Sequence, residues 1–189
     1  FLVVPTPNAG VDTTACGNRV TLVADSTYPG FWSGPSGVIY VNGITSPTTP
    51  IIIPNYTGNS YQATFTWTQT NGPCSASDNV VITFIRPPHA EAGNNVISVC
   101  GTLATLAADT IGTGVIQGYW YSIPSGPIIN QTGAVPWNAT VDVSNMGQSA
   151  FHHSVGEFYL YWVVNNGQCS NYDSVKVLFF EIPIAYAGE

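Results

Sequence analysis

The stretch Phe84-Ile85-Arg86-Pro87-Pro88-His89-Ala90-Glu91-Ala92-Gly93 contains a pattern that occurs three times in this chain. The pattern is Phe, three residues, Pro, three residues, Ala-Gly, and the other copies are Phe1-Pro5-Ala9-Gly10 and Phe179-Pro183-Ala187-Gly188. Because proline lacks an N–H and is excluded from central strands, each copy ends an apolar strand. The repeat predicts two whole modules, residues 8–88 and 89–183, with residues 1–7 as the last strand of a preceding repeat and 184–189 as the start of a following one.

Between the copies, both modules present the same segments in the same order. Apolar and polar residues alternate as in half-buried strands, an aromatic strand carries Trp32 or Trp120, and an Asn-Gly turn precedes the last strand. No segment shows capped helical periodicity. The sequence therefore predicts an all-β protein of two tandem immunoglobulin-like (PKD-like) β-sandwich domains, with Trp32 and Trp120 at the centres of the two cores.

The composition excludes several partners. The 189 residues have a net charge of −7 and only three cationic side chains, Arg19, Arg86 and Lys176. Nucleic acid and anionic membrane surfaces both require Lys and Arg, so neither is an expected partner. No apolar run reaches the ~20 residues of a membrane span, so no membrane insertion is expected. Charged residues make up 7% of the chain, and its solubility must come from Thr, Ser, Asn, Gln and Gly.

Four cysteines fall two per module, at equivalent positions. They allow three pairings, and the repeat favours one intradomain disulfide per module, Cys16–Cys74 and Cys100–Cys169. A bond from Cys16 to the other module would contradict the module boundaries. Each loop would contribute about 4 kcal/mol in the chain-entropy model. The alternative of a four-thiolate metal site lacks any C-x-x-C pair. Disulfides place the chain in an oxidising compartment outside the cytoplasm.

The order Ala-Gly, Cys-Gly, Val-Thr-Leu-x-Ala, Gly-(Phe/Tyr)-Trp, Pro-Ser-Gly, aromatic-x-Trp, Asn-Gly-x-Cys-Ser resembles the PKD-like and immunoglobulin-like repeats of Bacteroidota surface proteins. Gliding adhesins of the SprB type and other type IX secretion substrates carry such arrays. The resemblance implies an extracellular, cell-surface repeat array without catalysis or cofactor. It also makes four Asp-Ser/Thr tripeptides candidate O-glycosylation sites, at Thr13, Ser26, Thr110 and Ser174.

Few residues are arranged for chemistry. His89 falls in a connector and His152-His153 in a loop, and both are expected to be solvated. There is no G-x-S-x-G nucleophile motif, and the ten carboxylates are scattered singly, so no enzyme is predicted. Structural calcium at the module junctions is the alternative, with Asp12 and Asp25, or Glu91 and Asp109, as ligands. The D-x-D-x-D-G spacing of calcium loops is missing, and we expect no metal.

Three functions therefore stay open. The favoured one is a stiff structural and adhesive array, because the connector from Pro88 to Gly93 is short and bounded by proline. Its partners would be neighbouring repeats, surface glycans or other adhesin chains, with lateral or filament assembly through exposed sheet edges. The second is a carbohydrate-binding module that stacks sugars on Tyr119, Tyr121 or Trp137, the last a candidate exposed contact. The third is an accessory segment of a secreted hydrolase.

Overall fold

The computed structural model describes residues 2–110, 115–131, 136–146, 155–183 and 185. Every regular element of this described part is a β-strand, apart from one helical turn at residues 144–146. The chain divides into two compact units, Phe1–Arg86 and Pro87–Glu189. His152, His153 and the Ala187-Gly188 step of the third pattern copy lie outside the described residues.

Unit 1 is a sandwich of two sheets. A four-stranded sheet has the order β1-β7-β6-β3 and a three-stranded sheet the order β2-β5-β4. The first strand pairs in parallel with the last one, and all other pairs are antiparallel. The strands are β1 Thr13–Cys16, β2 Arg19–Val23, β3 Gly30–Ser33, β4 Ile39–Tyr40, β5 Thr48–Ile52, β6 Ser60–Asn71 and β7 Cys74–Ile85.

Unit 2 repeats this topology strand for strand. Its sheets have the orders β8-β14-β13-β10 and β9-β12-β11, again with the first strand parallel to the last. The predicted fold class, two tandem immunoglobulin-like sandwiches, is confirmed. The strands are β8 Val96–Cys100, β9 Leu103–Ala107, β10 Gln117–Ile123, β11 Ile128–Gln131, β12 Asn138–Asp142, β13 Val155–Asn165 and β14 Ser170–Phe180.

A tryptophan pair lies at the centre of each core. Trp32 and Trp67 are cross-strand neighbours with ring centroids 5.2 Å apart. Trp120 and Trp162 occupy the same register in unit 2, at 5.4 Å. All four side chains are at most 2% exposed. Burying such large side chains is the main source of stability for a sandwich of this size.

The tryptophan pairs explain why a glycine stands two residues before Trp32 and before Trp120 in the sequence. A Cβ on Gly118 would lie 2.4 Å from the Trp162 ring, and one on Gly30 would lie 2.7 Å from the Trp67 ring. The indole of β6 or β13 therefore lies directly against the backbone of the neighbouring strand. No other residue type leaves space for it there.

The Ala-Gly step of the pattern is fixed within its own unit. The Ala9 N–H donates to Asp78 Oδ2, and the Ala92 N–H donates to Asp173 Oδ2, both at 2.8 Å. The next residue, Gly10 or Gly93, has a φ near +90°, and a Cβ there would approach a carbonyl oxygen of the neighbouring strand to 2.9 or 2.4 Å. The step thus needs glycine for both its backbone angle and its close approach.

Residues 2–12 form no strand, although the apolar run at the N-terminus predicts one. An isolated extended segment has no ladder of hydrogen bonds to hold it. The segment does bond to β6, because the Val3 carbonyl accepts a hydrogen bond from Asn71 Nδ2 at 2.8 Å.

The predicted disulfide pairing is wrong. Cys16 and Cys169 are disulfide-bonded, whereas Cys74 and Cys100 carry free thiols. Neither predicted intradomain pair is therefore formed, and the chain divides between Arg86 and Pro87.

The length of the last strand in each unit is the physical reason that the predicted cysteine pairs do not form. Cys16 pairs with Ile85, the last residue of β7, while Cys74 is the first residue of that strand. Twelve extended residues place the two cysteines about 36 Å apart, far beyond the ~7 Å that a disulfide can span. In unit 2, Cys100 lies opposite Phe180 at the end of β14, and Cys169 directly precedes the start of β14. An intradomain bond is therefore excluded in both units.

Candidate binding surface

The outward face of the four-stranded sheet in unit 2 carries five tyrosines, which we call the tyrosine face: Tyr119, Tyr121, Tyr159, Tyr161 and Tyr172. Alternation along β10, β13 and β14 sends Trp120, Trp162 and Val175 into the core and the intervening side chains to solvent. Tyr161 is half-buried, and the other four are 37–64% exposed.

Strand register brings these tyrosines together. Tyr119 and Tyr172 both lie opposite Val163, and Tyr121 lies opposite Tyr161. The Tyr121 and Tyr161 rings stack at 4.9 Å with an interplanar angle of 11°. Tyr172 meets the Tyr161 ring edge-on at 5.9 Å, and Tyr119 is 6.5 Å from Tyr121. The result is a continuous aromatic surface across three strands.

The charges at one margin of this surface neutralise each other. Lys176 Nζ lies 2.9 Å from Glu157 Oε2 and 5.9 Å from the centroid of the Tyr159 ring. The hydrogen bond from Lys176 lowers the pKa of the Glu157 carboxyl, and the same bond raises the pKa of Lys176. The surface therefore offers aromatic rings and phenol hydroxyls to a ligand, with no unpaired cation for an anion.

Unit 1 has polar side chains at four of the five equivalent positions, and an exposed phenylalanine, Phe31, at the position of Tyr119. Ser33 and Thr66 replace Tyr121 and Tyr161, and Ser77 replaces Tyr172. These side chains bond to each other and to their neighbours: Thr66 Oγ1 donates to Asn79 Oδ1 at 2.7 Å, and the Thr68 and Ser77 hydroxyls are 2.9 Å apart. The cores of the two units are alike, and their outer faces differ.

The candidate glycosylation residues lie in separate places. Thr13 on β1, Ser26 after β2 and Thr110 after β9 are exposed, as a modified hydroxyl requires. Ser174 is half-buried and lies opposite Tyr161, within the tyrosine face. Ser26 borders a groove of about 310 Å³ that Tyr28, Thr45 and Trp67 also line.

Trp137 is half-buried and packs against the core of unit 2, rather than standing free as an exposed contact. Its carbonyl accepts a hydrogen bond from the Ala108 N–H at 3.0 Å, which ties the loop before β12 to β9. Sequence reasoning named Tyr119 and Tyr121 but missed Tyr159, Tyr161 and Tyr172. The alternation Tyr-x-Tyr in both β10 and β13 was the available signal.

The carboxylates considered for calcium bind protein groups instead. Asp12 Oδ1 accepts from the Val81 N–H at 2.8 Å, and Asp109 lies 3.7 Å from His89 in an exposed pair. Within the described ranges, no three His, Cys, Asp or Glu side chains come together as a metal site would require. No helix in that part of the chain is long and apolar enough to cross a membrane.

Among these carboxylates, that of Asp25 bonds to a fully buried side chain, Gln69. Its carboxylate accepts hydrogen bonds from the Asn8 N–H at 2.8 Å and from the fully buried Gln69 amide at 2.9 Å. Burial acts to raise the pKa of Asp25, but the hydrogen bonds from Asn8, Gln69 and Thr27 outweigh it and hold that pKa below its usual value.

A carboxyl whose pKa is lowered by folding stabilises the folded state above its unfolded pKa, and this contribution is lost as the pH falls through the folded pKa. We expect the free energy of unfolding of unit 1 to decline below about pH 4, and Asp25→Asn to flatten that decline. Denaturant titrations between pH 2 and 7, monitored by tryptophan fluorescence, measure this dependence of the free energy of unfolding on pH. The neighbouring Ser26→Ala variant is the control, and an unchanged slope in Asp25→Asn would contradict the assignment.

The strand order and the two cores define the class of this protein, a tandem of immunoglobulin-like β-sandwich domains. No family model matches the chain. No curated protein matches it either.

Several solved structures align with most of this chain. Extracellular domains 3–5 of Drosophila OTK align with 95% of this chain and 62% of their own, at 12% identity and a TM-score of 0.42. A chain of the complex of Dpr2 Ig1-Ig2 with DIP-Theta Ig1-Ig3 aligns over 96% of this chain and 66% of its own, at 19% identity and a TM-score of 0.36. BT4661, a SusE-like surface polysaccharide-binding protein of Bacteroides thetaiotaomicron, aligns over 96% of this chain and 34% of its own, at 9% identity and a TM-score of 0.38. At these identities and TM-scores, no property of these proteins is carried over to this chain.

Proposed function

We propose that this chain is a non-catalytic structural and adhesive segment of an exported, extracellular surface protein of the gliding-adhesin type. The observation that carries the proposal is the difference between the outer faces of two units with matching cores. The face of unit 1 is a Ser/Thr/Asn ladder with one exposed aromatic residue, Phe31, whereas the face of unit 2 carries five tyrosines.

The tyrosine face lowers the solubility of the protein and contributes little to the stability of the core. Exposed aromatic side chains on a sheet already filled by Trp120 and Trp162 add little to packing, because their rings point to solvent. Contiguous exposed aromatic surface on a soluble domain is typical of a contact site. Tyrosine suits such contacts because it offers a large area and a hydroxyl with only two side-chain torsions to fix.

In this proposal unit 1 acts as a spacer and unit 2 carries the contact. The connector Arg86-Pro87-Pro88 favours a spacer role, because consecutive prolines restrict the backbone far more than a Gly/Ser linker does. The low charge of the chain fits adhesion to neutral surfaces better than recognition of nucleic acid or anionic lipid.

Substitution of the stacked pair tests the contact role. We expect Tyr121→Ala/Tyr161→Ala to lower adhesion of the protein to cell-surface extracts or abiotic supports at least tenfold, because central aromatic residues dominate interface energies. The matched control is Ser33→Ala/Thr66→Ala, at the equivalent positions of unit 1, which should leave adhesion unchanged. Equal adhesion by both double variants would contradict the proposal.

A second candidate, carbohydrate binding, is favoured by the flat, uncharged Tyr121–Tyr161 stack. Sugar rings stack on such surfaces through their apolar faces, while phenol hydroxyls bond their oxygens. A neutral-glycan array distinguishes carbohydrate recognition from general adhesion. Saturable binding that is lost in the tyrosine double variant supports carbohydrate recognition. Adhesion without any glycan signal supports a general adhesive role. An accessory segment of a secreted hydrolase stays a third alternative, which the flanking sequence would decide.

A further inference from the structure

The groove of about 310 Å³ in unit 1 lies between two loops of that unit. One loop, between β2 and β3, contributes the residues from Ser26 to Gly30, and the other, between β4 and β5, contributes Thr45 and Pro47. The buried indole of Trp67 lines the groove from the side of the core. The volume of the groove is at the lower end of the range for small-molecule sites.

A buried glutamine holds the first loop in place. Gln69 on β6 is fully buried, and its Nε2 donates to Asp25 Oδ2 at 2.9 Å and lies 3.4 and 3.3 Å from the carbonyl oxygens of Asp25 and Tyr28. The residue at the same register position in unit 2 is a buried valine, Val164. The fold itself therefore does not require a polar side chain at this position.

The core of unit 1 also holds the second loop. Trp32 Nε1 donates to the Pro47 carbonyl at 3.3 Å, and the Trp32 N–H donates to the Ile44 carbonyl at 2.8 Å. The Ala24 N–H donates to the same Pro47 carbonyl at 2.9 Å. Because both loops are bonded to core residues, the groove is formed before any ligand enters it. A preformed site loses little free energy to ordering when it binds.

Two buried polar atoms next to the groove have no hydrogen-bond partner among the described residues, namely Trp67 Nε1 and Gln69 Oε1. Both side chains lie on the inward face of β6, two residues apart. The indole edge that carries Nε1 faces the groove, since a Cβ on Gly30, another lining residue, would lie 2.9 Å from Cε2 of Trp67. Buried polar atoms are nearly always paired, and a hydroxyl group can serve both a donor and an acceptor.

We propose that this groove binds a neutral sugar residue, with a sugar hydroxyl as the partner that Trp67 Nε1 lacks. The site belongs to unit 1, whereas the tyrosine face belongs to unit 2. The inference therefore goes beyond the proposed function and does not depend on it.

The lining residues have the chemistry that a sugar requires. Hydroxyl groups can bond to the hydroxyls of the sugar, and rings can pack on the apolar C–H face of the sugar. None of the described lining residues carries a charge, and the carboxylate of Asp25, directly before the first loop residue of the groove, disfavours an anionic ligand. The hydroxyls are those of Ser26, Thr27, Thr45 and Tyr28, and the rings are those of Tyr28, Pro29 and Pro47.

Titration of the full chain with neutral sugars, monitored by proton–nitrogen correlation NMR, tests the proposal. The probes are glucose, galactose, mannose and N-acetylglucosamine, and a Trp67→Phe variant identifies the indole N–H signal of Trp67 by its absence. We expect at least one of these sugars to shift that signal and the amide signals between Ser26 and Gly30 in a saturable way. The indole signal of Trp162 in unit 2 should stay unchanged.

A matched pair of variants locates the bound sugar. Thr45→Val removes one lining hydroxyl but keeps the branched shape, and it should weaken binding about fivefold, as expected for the loss of one hydrogen bond. The control is Thr64→Val, at an exposed position on the outer face of β6, which should bind like the unmodified chain. An affinity that is unchanged in Thr45→Val would contradict the assignment of the groove.

Two other outcomes would overturn the proposal. If none of the four sugars gives a saturable shift, water is the partner of Trp67 Nε1 and the groove is not a sugar site. If the shifts are confined to the tyrosine face, the sugar binds to unit 2 and the groove again has no role. The second result would support the carbohydrate candidate above, so the two sites are tested separately.

Discussion

Trp162→Ala is expected to lower the free energy of unfolding of unit 2 by about 3–5 kcal/mol, because it empties the centre of a core that cannot fully collapse. Gly118→Ala should cost about 1–3 kcal/mol through overpacking, since its Cβ would meet the Trp162 ring at 2.4 Å.

Denaturant unfolding of each variant gives both values. Tyr172→Ala is the matched aromatic control: its side chain is 64% exposed, and its loss should change stability by no more than about 0.5 kcal/mol. A Gly118→Ala variant as stable as the unmodified chain would show that the indole does not lie on the backbone there. The corresponding pair in unit 1, Trp32 and Trp67 over Gly30, should respond in the same way.

The two free thiols have a practical consequence for these measurements. Cys74 and Cys100 can exchange with the disulfide-bonded cysteines, Cys16 and Cys169, during unfolding, because thiolates attack disulfides once the strands open. The double variant Cys74→Ser/Cys100→Ser keeps the native disulfide and removes the attacking thiols. It is the preferred background for stability work.

Local patterns in the sequence were sufficient for the fold and the core. Alternation in segments such as Val20-Thr21-Leu22 sets which side chains face inward, and Asn-Gly fixes the hairpin before each last strand. Trp32 and Trp120 were expected at the core centres, and both are there. The residues that meet them are Trp67 and Trp162, whose contact with Gly30 and Gly118 depends on cross-strand register.

The sequence by itself determined the all-β architecture, the repeat and the tryptophan cores, because these depend on periodicities and turn residues within short segments. Only the tertiary structure decided that the two cysteines of one unit do not bond to each other, since the length of β7 and β14 holds them about 36 Å apart. It also decided which tyrosines share a surface, because that requires the register of three strands distant in sequence.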